Sequence, residues 1–183
     1  MTGGLAGLRV VWGAADAADR RRTSRRLLED LLPGAPIRSG PCPRCGGSHG
    51  PLRAEGAAEA ISVTYAGGLA VVASIPHAVA SSIGIDAERG DDDSPAGIDR
   101  MRPGTTLRDW TRIEAALKAD GRGLDVDPAV VRIHGAPDDW TAVLPGRSMP
   151  ILGIDAAGPE GIVLSVAIVP AAAAAAAGNP PSA

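Results

Sequence analysis

The stretch Leu107–Asp120, LRDWTRIEAALKAD, has the strongest helix pattern in the chain and is the starting point for predicting the fold. Trp110, Ile113 and Leu117 recur at helical spacing and predict an apolar stripe that faces a core. Gly121 follows at once and predicts the end of the helix, because glycine adopts the left-handed conformation that closes a helix. We therefore expect one well-packed helix in the second half of the chain.

A second helix is predicted over Asp16–Leu32, where Pro33 and Gly34 follow its last apolar residue. Short apolar or alternating runs predict strands before and after both helices. The predicted strands are Leu8–Trp12, Ala60–Tyr65, Leu69–Ile75, Ser82–Glu88, Val130–His134, Thr141–Leu144, Met149–Asp155 and Gly161–Val169. Residues 33–58 are predicted to be loop, and Arg89–Thr106 is predicted to be a mobile polar loop.

This order of elements predicts an α/β (α+β) protein made of two similar halves with mainly antiparallel sheets. Residues 1–81 would form the first half and residues 82–169 the second, joined through the segment 82–90. Residues 170–183 are rich in alanine and proline and are predicted to be a disordered tail.

The composition limits the class of protein. The chain has 183 residues, of which 45% are hydrophobic and 21% charged, as in a globular domain. No apolar run is long enough to cross a bilayer, and no basic segment precedes the first apolar stretch as in a secretory signal. The net charge of −3 argues against a dedicated nucleic-acid binder. We therefore expect a cytoplasmic monomer that binds neither nucleic acid nor membranes.

Cys42, Cys45 and His49 form a C-x2-C-x3-H pattern with three open interpretations. A closed zinc site needs four ligands, and no second C-x2-C exists to complete one. A redox C-x-x-C normally begins a helix, whereas Gly46 and Gly47 disfavour one here. The pattern is thus compatible with zinc, with a redox pair, or with a turn-rich loop that carries two reduced thiols.

Asp86 and Glu88 lie two residues apart on the predicted strand 82–88, so strand alternation places both carboxylates on one face. Like charges this close repel unless a cation lies between them, and Mg²⁺ prefers such oxygen ligands. The alternative is a strand that enters solvent with both acids hydrated. The pair is a candidate for metal binding.

Glu114 and Lys118 are four residues apart on the predicted helix and therefore share a face. Lys118 is the only lysine among 18 basic residues. In a chain that otherwise uses arginine, a single lysine indicates a position where a compact ammonium matters. The alternatives are an ordinary surface ion pair and a chance survival of one lysine.

Taken together, the runs Ile83–Glu88 and Trp110–Leu124 resemble the 4′-phosphopantetheinyl transferase superfamily. The family signature is G-[IV]-D-x-E, then W-x-x-K-E-[AS]-x-x-K, then G-x-G-L. The resemblance covers most of residues 8–169 and extends to Ile61–Gly68 and to Cys42–Gly50, the latter being similar to a loop of actinobacterial Sfp-type members. It implies two α/β halves related by a pseudo-twofold axis, with the segment 82–90 and the helix 107–120 at their interface.

The family transfers the phosphopantetheine arm of coenzyme A to a serine of an apo acyl or peptidyl carrier protein, and releases adenosine 3′,5′-bisphosphate. Such carriers serve fatty acid, polyketide and nonribosomal peptide synthesis. The resemblance implies that Asp86, Glu88 and Glu114 hold Mg²⁺ against the pyrophosphate of coenzyme A. Glu114 would take the proton of the carrier serine. Lys118 would stabilise charge on the pyrophosphate and could protonate the leaving group.

Two further residues, Arg25 and Thr64, are weaker candidates for binding coenzyme A. Arg25 belongs to the arginine-rich segment 20–26, which could meet the 3′-phosphate of coenzyme A or an acidic carrier, or could be a solvated helix face. Thr64 stands where the family has a serine.

The sequence departs from the family at positions that would normally contact coenzyme A phosphates. Ile113 replaces a lysine, Tyr65 replaces a histidine, and Pro51 and Leu52 stand where the family has a basic residue followed by proline. The three residues that would bind the metal match the family, whereas the residues at these phosphate-contacting positions differ from it. The alternative function is therefore a catalytically impaired homologue that binds a carrier protein or a ligand like coenzyme A.

Overall fold

A computed structural model describes residues 5–42, 45–48, 50–90 and 104–172 of the chain. The α-helices in this part are α1 (Arg20–Leu31) and α2 (Leu107–Asp120), and two short 3₁₀ helices follow α2 at Gly123–Asp125 and Pro128–Val130. The first strands are β1 (Arg9–Ala14), β2 (Ile37–Ser39), β3 (Leu52–Ala54), β4 (Glu59–Ala66) and β5 (Leu69–Pro76). The later strands are β6 (Ala80–Arg89), β7 (Arg132–Ala136), β8 (Asp139–Val143), β9 (Ile151–Asp155) and β10 (Ile162–Pro170).

The strands form two large sheets and one small hairpin, and every pair is antiparallel. The first sheet has the order β1-β5-β4, and the second has the order β6-β10-β9-β8-β7. The strands β2 and β3 pair with each other. The predicted mixed α/β class and the predicted antiparallel pairing are confirmed.

The segment 33–58, predicted to be loop, contains β2 and β3, so that prediction is wrong there. Each of these strands has only three residues. Three residues are too few to show the alternation by which a strand is recognised in a sequence. The two strands pair because the chain between them turns back on itself, which neither three-residue segment shows by its own sequence.

The two helices have different local origins. Thr106 caps α2, because its side chain accepts a hydrogen bond from the backbone N–H of Asp109, and Gly121 closes the helix with a φ of 85°. The first turn of α1 has no acidic residue, and its capping residue Asp19 makes no side-chain cap. We infer that α1 depends on packing, chiefly on Leu28, which is fully buried.

The two large sheets pack against each other, and each carries one helix on its outer side. Between the sheets lie apolar side chains of β4, β5, β6 and β10, including Val71, Ile75, Ile85 and Val166. On the far side of the second sheet, α2 packs its apolar stripe against Trp140 and other side chains of β8 and β9. The helix α1 covers the first sheet at Val72.

The strand β6 lies at the junction of all these layers. It is an edge strand of the second sheet, and it lies against β4 of the first, where the backbone N–H of Ile85 donates to Ser62 Oγ at 3.0 Å. On its other face β6 packs against α2. The segment and the helix that carry the two sequence motifs are therefore in contact.

Most of the predicted mobile loop 89–106 and of the predicted tail 170–183 lies outside the described residues. None of the helices in the described part of the chain is both long and apolar enough to span a membrane.

Candidate active site at the contact of β6 and α2

The backbones of β6 and α2 come into direct contact at Gly84. A Cβ atom on Gly84 would overlap the carbonyl oxygen of Ala115, so only glycine fits there. Beside it, Ser82 Oγ donates to the carbonyl oxygen of Ala119 at 2.7 Å. This close approach brings short acidic side chains of the strand within reach of side chains on the helix.

Asp86 lies at the centre of the site and is only 5% exposed. Its Oδ1 accepts hydrogen bonds from Lys118 Nζ at 2.6 Å and from Thr64 Oγ1 at 3.1 Å. Its Oδ2 is buried and has no hydrogen-bond partner within the part of the chain that the structure describes. Burial raises the pKa of Asp86 above its ordinary value, and the ammonium of Lys118 opposes that rise.

Glu114 lies one helical turn before Lys118 on α2 and is partly buried. Burial raises the pKa of Glu114, the negative charge of Asp86 raises that pKa further, and the ammonium of Lys118 lowers it. Glu114 and Asp86 are thus near enough to repel each other. The structure brings two carboxylates and one ammonium together at this contact.

Lys118 connects the helix to the strand. Besides Asp86, its Nζ donates to the carbonyl oxygen of Ile85 at 3.1 Å and approaches Thr64 Oγ1 at 3.4 Å. Its side chain is 32% exposed, so the ammonium is reachable from solvent but anchored inside. A surface pair confined to α2 does not explain this arrangement, because the partners of Lys118 lie on β4 and β6.

Glu88 is the next residue on the same face of β6 as Asp86, by strand alternation, and lies opposite Val163 of β10. Among the described residues, no three His, Cys, Asp or Glu side chains form a group that could hold a metal ion. The metal triad therefore stays a prediction.

The two weaker candidates are in different layers. Thr64 is buried in the site and bonded to Asp86. Arg25 is exposed on α1, on the outer side of the first sheet. Tyr65, which stands where the family has histidine, faces α1, with its hydroxyl 2.9 Å from Ser24 Oγ and its ring 5.0 Å from the guanidinium carbon of Arg20.

The cysteine pattern lies between β2 and β3, apart from the acidic site. Cys42 and Cys45 are not joined in a disulfide bond. The turn is closed by hydrogen bonds from the N–H of Cys42 to the carbonyl of Gly47 and from the N–H of Gly46 to the carbonyl of Cys42. His49 is outside the described residues. The three interpretations of this pattern stay open.

Sequence reasoning missed a second polar cluster on α2. Asp155 of β9 accepts hydrogen bonds from Arg112, Trp140 and Ser165. Arg112 is buried beside the apolar stripe of α2. In the sequence, Arg112 lies between Trp110 and Ile113 of that stripe. This position is the one feature of the sequence that indicates a buried arginine. Its partner on β9 is 43 residues away in the chain and has no local pattern.

No family model matches the chain, and no curated protein matches it closely enough to count as a relative. The resemblance to the phosphopantetheinyl transferases accordingly depends on the motifs of Ile83–Glu88 and Trp110–Leu124 and on the chemistry of the side chains that they carry.

Proposed function

We propose that this protein is a magnesium-dependent 4′-phosphopantetheinyl transferase, with the two pseudo-symmetric α/β halves of that family. The proposal depends on one observation above all: the buried Asp86, whose Oδ2 has no hydrogen-bond partner among the described residues, is held by the ammonium of Lys118 and is close enough to Glu114 for its charge to raise the pKa of Glu114. One buried and one partly buried carboxylate with a single ammonium leave an excess negative charge, which is costly in a largely desolvated site. A divalent cation would offset that charge.

The carboxylates of this site carry the oxygen ligands that Mg²⁺ prefers, although the described residues form no ready-made group of three. A hard cation takes carboxylate oxygens, and Asp86 Oδ2 is a buried acceptor that no group in the described part of the chain satisfies. Asp86 and Glu114 would hold the cation, with Glu88 as the third ligand from the same face of β6. When bound, the cation would neutralise charge on the pyrophosphate of coenzyme A.

The transfer would form a bond between the carrier serine Oγ and the phosphorus that bears pantetheine. The bond from that phosphorus to the oxygen of adenosine 3′,5′-bisphosphate breaks, and the serine proton leaves to Glu114. Lys118 donates to the pyrophosphate and can supply a proton to the leaving phosphate. Such transfers depend mainly on positioning and charge neutralisation, which suits a site whose helix and strand are in backbone contact at Gly84.

A second candidate is a homologue that binds coenzyme A or a carrier without catalysis. Ile113, at the position of a family lysine, is fully buried, and Tyr65 faces α1. Two positions that contact phosphates in the family are therefore turned into the protein. This observation favours weaker coenzyme A binding.

The deciding experiment incubates the protein with coenzyme A, Mg²⁺ and a panel of apo acyl and peptidyl carrier proteins. Mass spectrometry of the carriers should show a gain of one phosphopantetheine, which a chelator abolishes. Asp86→Asn and Glu114→Gln should lose the transfer. Asp30→Asn, at an exposed carboxylate of α1, is the matched control and should keep it.

Calorimetry with coenzyme A and with the same carriers separates the two candidates. Unmodified carriers together with measurable binding would favour the non-catalytic homologue. Unmodified carriers without binding of either partner would contradict both.

A further inference from the structure

The cluster around Asp155 lies beside the candidate site. Arg112 donates to Asp155 through Nε at 3.0 Å and through a terminal nitrogen at 2.7 Å, so the pair is bidentate. The side chains of Arg112 and Asp155 are 8% and 14% exposed. A buried bidentate pair holds both partners in one orientation, because the planar guanidinium must lie in the plane of the carboxylate.

Further donors, among them Arg108 at 3.4 Å from Asp155 Oδ2, join the cluster and connect it to the site. Trp140 Nε1 and Ser165 Oγ each lie 3.1 Å from Asp155 Oδ1. Ser165 Oγ is also 2.9 Å from Thr111 Oγ1 of α2. Ser165 is the cross-strand partner of Asp86 in the pairing of β10 with β6. The cluster and the acidic site thus occupy neighbouring positions on one sheet face.

Thr111 shares a face of α2 with Glu114 and Lys118, whereas Arg112 lies about 200° around the helix from Glu114. Rotation of α2 about its axis would therefore move Arg112 and Glu114 together. Packing of the apolar stripe is less directional than the bidentate pair and the Thr111–Ser165 bond, each of which needs one orientation of its partners. The polar cluster is therefore one directional constraint on the helix, in addition to the backbone contact at Gly84 and the bond of Ser82 to Ala119.

We propose that Asp155 is a positioning residue that holds α2, through Arg112, at the rotation where Glu114 and Lys118 face Asp86. The catalytic part of this proposal rests on the proposed function. The effect of Asp155 on the position of Lys118 is independent of that function. It can be observed directly, because Lys118 is the only lysine in the chain.

The test labels the protein with ¹⁵N at the side-chain nitrogen of lysine, which yields one ammonium signal in a proton–nitrogen spectrum. An ammonium anchored on Asp86 exchanges its protons slowly enough to be seen, whereas a solvated ammonium is broadened by exchange with water. The variant Arg112→Met with Asp155→Leu replaces the ion pair by apolar side chains of similar size, a change that folded proteins often tolerate. We expect this variant to stay folded by circular dichroism and to lose or shift the Lys118 signal.

A matched control removes an exposed pair of the same type, Arg38 with Glu55, which are 2.8 Å apart on the hairpin of β2 and β3. Arg38→Gln with Glu55→Gln should leave the Lys118 signal unchanged. If the double variant at Arg112 and Asp155 does not fold, Asp155→Asn is used instead, because its amide keeps the shape and one acceptor. A folded variant with an unchanged Lys118 signal would overturn the proposal.

If the wild type transfers phosphopantetheine, the folded variant should show kcat lowered at least about tenfold, with KM for coenzyme A within about twofold. A merely structural role would lower stability and leave kcat of the folded fraction unchanged. If the wild type transfers nothing, the proposed function fails while the Lys118 signal still decides the positioning role.

Discussion

The hydroxyl of Thr64, on β4 of the first sheet, donates to Oδ1 of Asp86, on β6 of the second, at 3.1 Å. Both residues are buried, and the same Oδ1 accepts from Lys118. A side chain of one sheet thereby orients the carboxylate that the other sheet and α2 share. Thr64 thus acts on Asp86, whereas the sequence suggested only contact with coenzyme A.

Replacing Thr64 by valine should weaken both the fold and the site. Valine keeps the shape but removes the donor, so a buried carboxylate loses one partner at a cost of about 1–2 kcal/mol. We expect a lower urea midpoint and a lower kcat with little change in KM for coenzyme A. Thr64→Ser keeps the hydroxyl and should restore kcat. A rise in KM alone would instead assign Thr64 to coenzyme A binding.

Replacing Lys118 by arginine should lower the transfer rate at least about tenfold, or ~1.4 kcal/mol in the barrier. The guanidinium is larger, differs in reach and donor geometry, and retains its proton too firmly to act as an acid. Stability should change little, because the positive charge beside Asp86 is kept. Lys118→Ala should be slower still, since the charge balance of the two carboxylates is lost.

Single-turnover transfer to a carrier protein measures these rates. Arg38→Lys, at an exposed position of β2, is the control and should behave as wild type. Full activity of Lys118→Arg would show that the lysine at this position is incidental, and the proton-donor role would then be withdrawn.

Replacing Gly84 by alanine should destabilise the protein by about 1–3 kcal/mol, the usual cost of overpacking. The new methyl group would overlap the backbone of α2 at Ala115, which cannot move as a flexible side chain can. Gly13→Ala is the matched control, since its Cβ would be 3.6 Å from the nearest atom, a methyl of Leu27. Urea unfolding compares the two, and equal free energies of unfolding would contradict the close packing of β6 and α2.

Asp120 at the end of α2 should make stability depend on pH. Its side chain is buried and paired with Arg122 and Arg147, and these hydrogen bonds and charges hold the pKa of Asp120 below its ordinary value in spite of burial. A carboxyl whose folded pKa is depressed stabilises the fold above its unfolded pKa. That contribution is lost as the pH falls through the folded pKa.

The free energy of unfolding of the wild type should therefore fall more steeply below about pH 5 than that of Asp120→Asn. At pH 7 the variant should be less stable by about 1 kcal/mol. Urea titrations at several pH values measure both quantities, with Asp30→Asn as the control at an exposed carboxylate. Parallel pH curves for wild type and Asp120→Asn would contradict the role of the ion pairs.

Local patterns predicted the elements whose stabilising contacts are close in sequence. The helix Leu107–Asp120 has the bounds that its apolar stripe and Gly121 indicate. The hairpin of β4 and β5 turns at Gly67 and Gly68, as the glycine pair predicts. The first helix was predicted from residue 16 but begins at Arg20, because its N-terminus has no side-chain cap to mark it.

The alternation of Asp86 and Glu88 and the spacing of Glu114 and Lys118 were readable because each is a property of one strand or one helix. The pairing of Lys118 with Asp86, 32 residues away, could not be predicted from the sequence, because it depends on the packing of α2 on β6. The bonds of Asp155 to Arg112 and of Thr64 to Asp86 were hidden for the same reason. Periodicity specifies which face a side chain is on, whereas its partner across an interface depends on how two elements approach, and here Gly84 decides that approach.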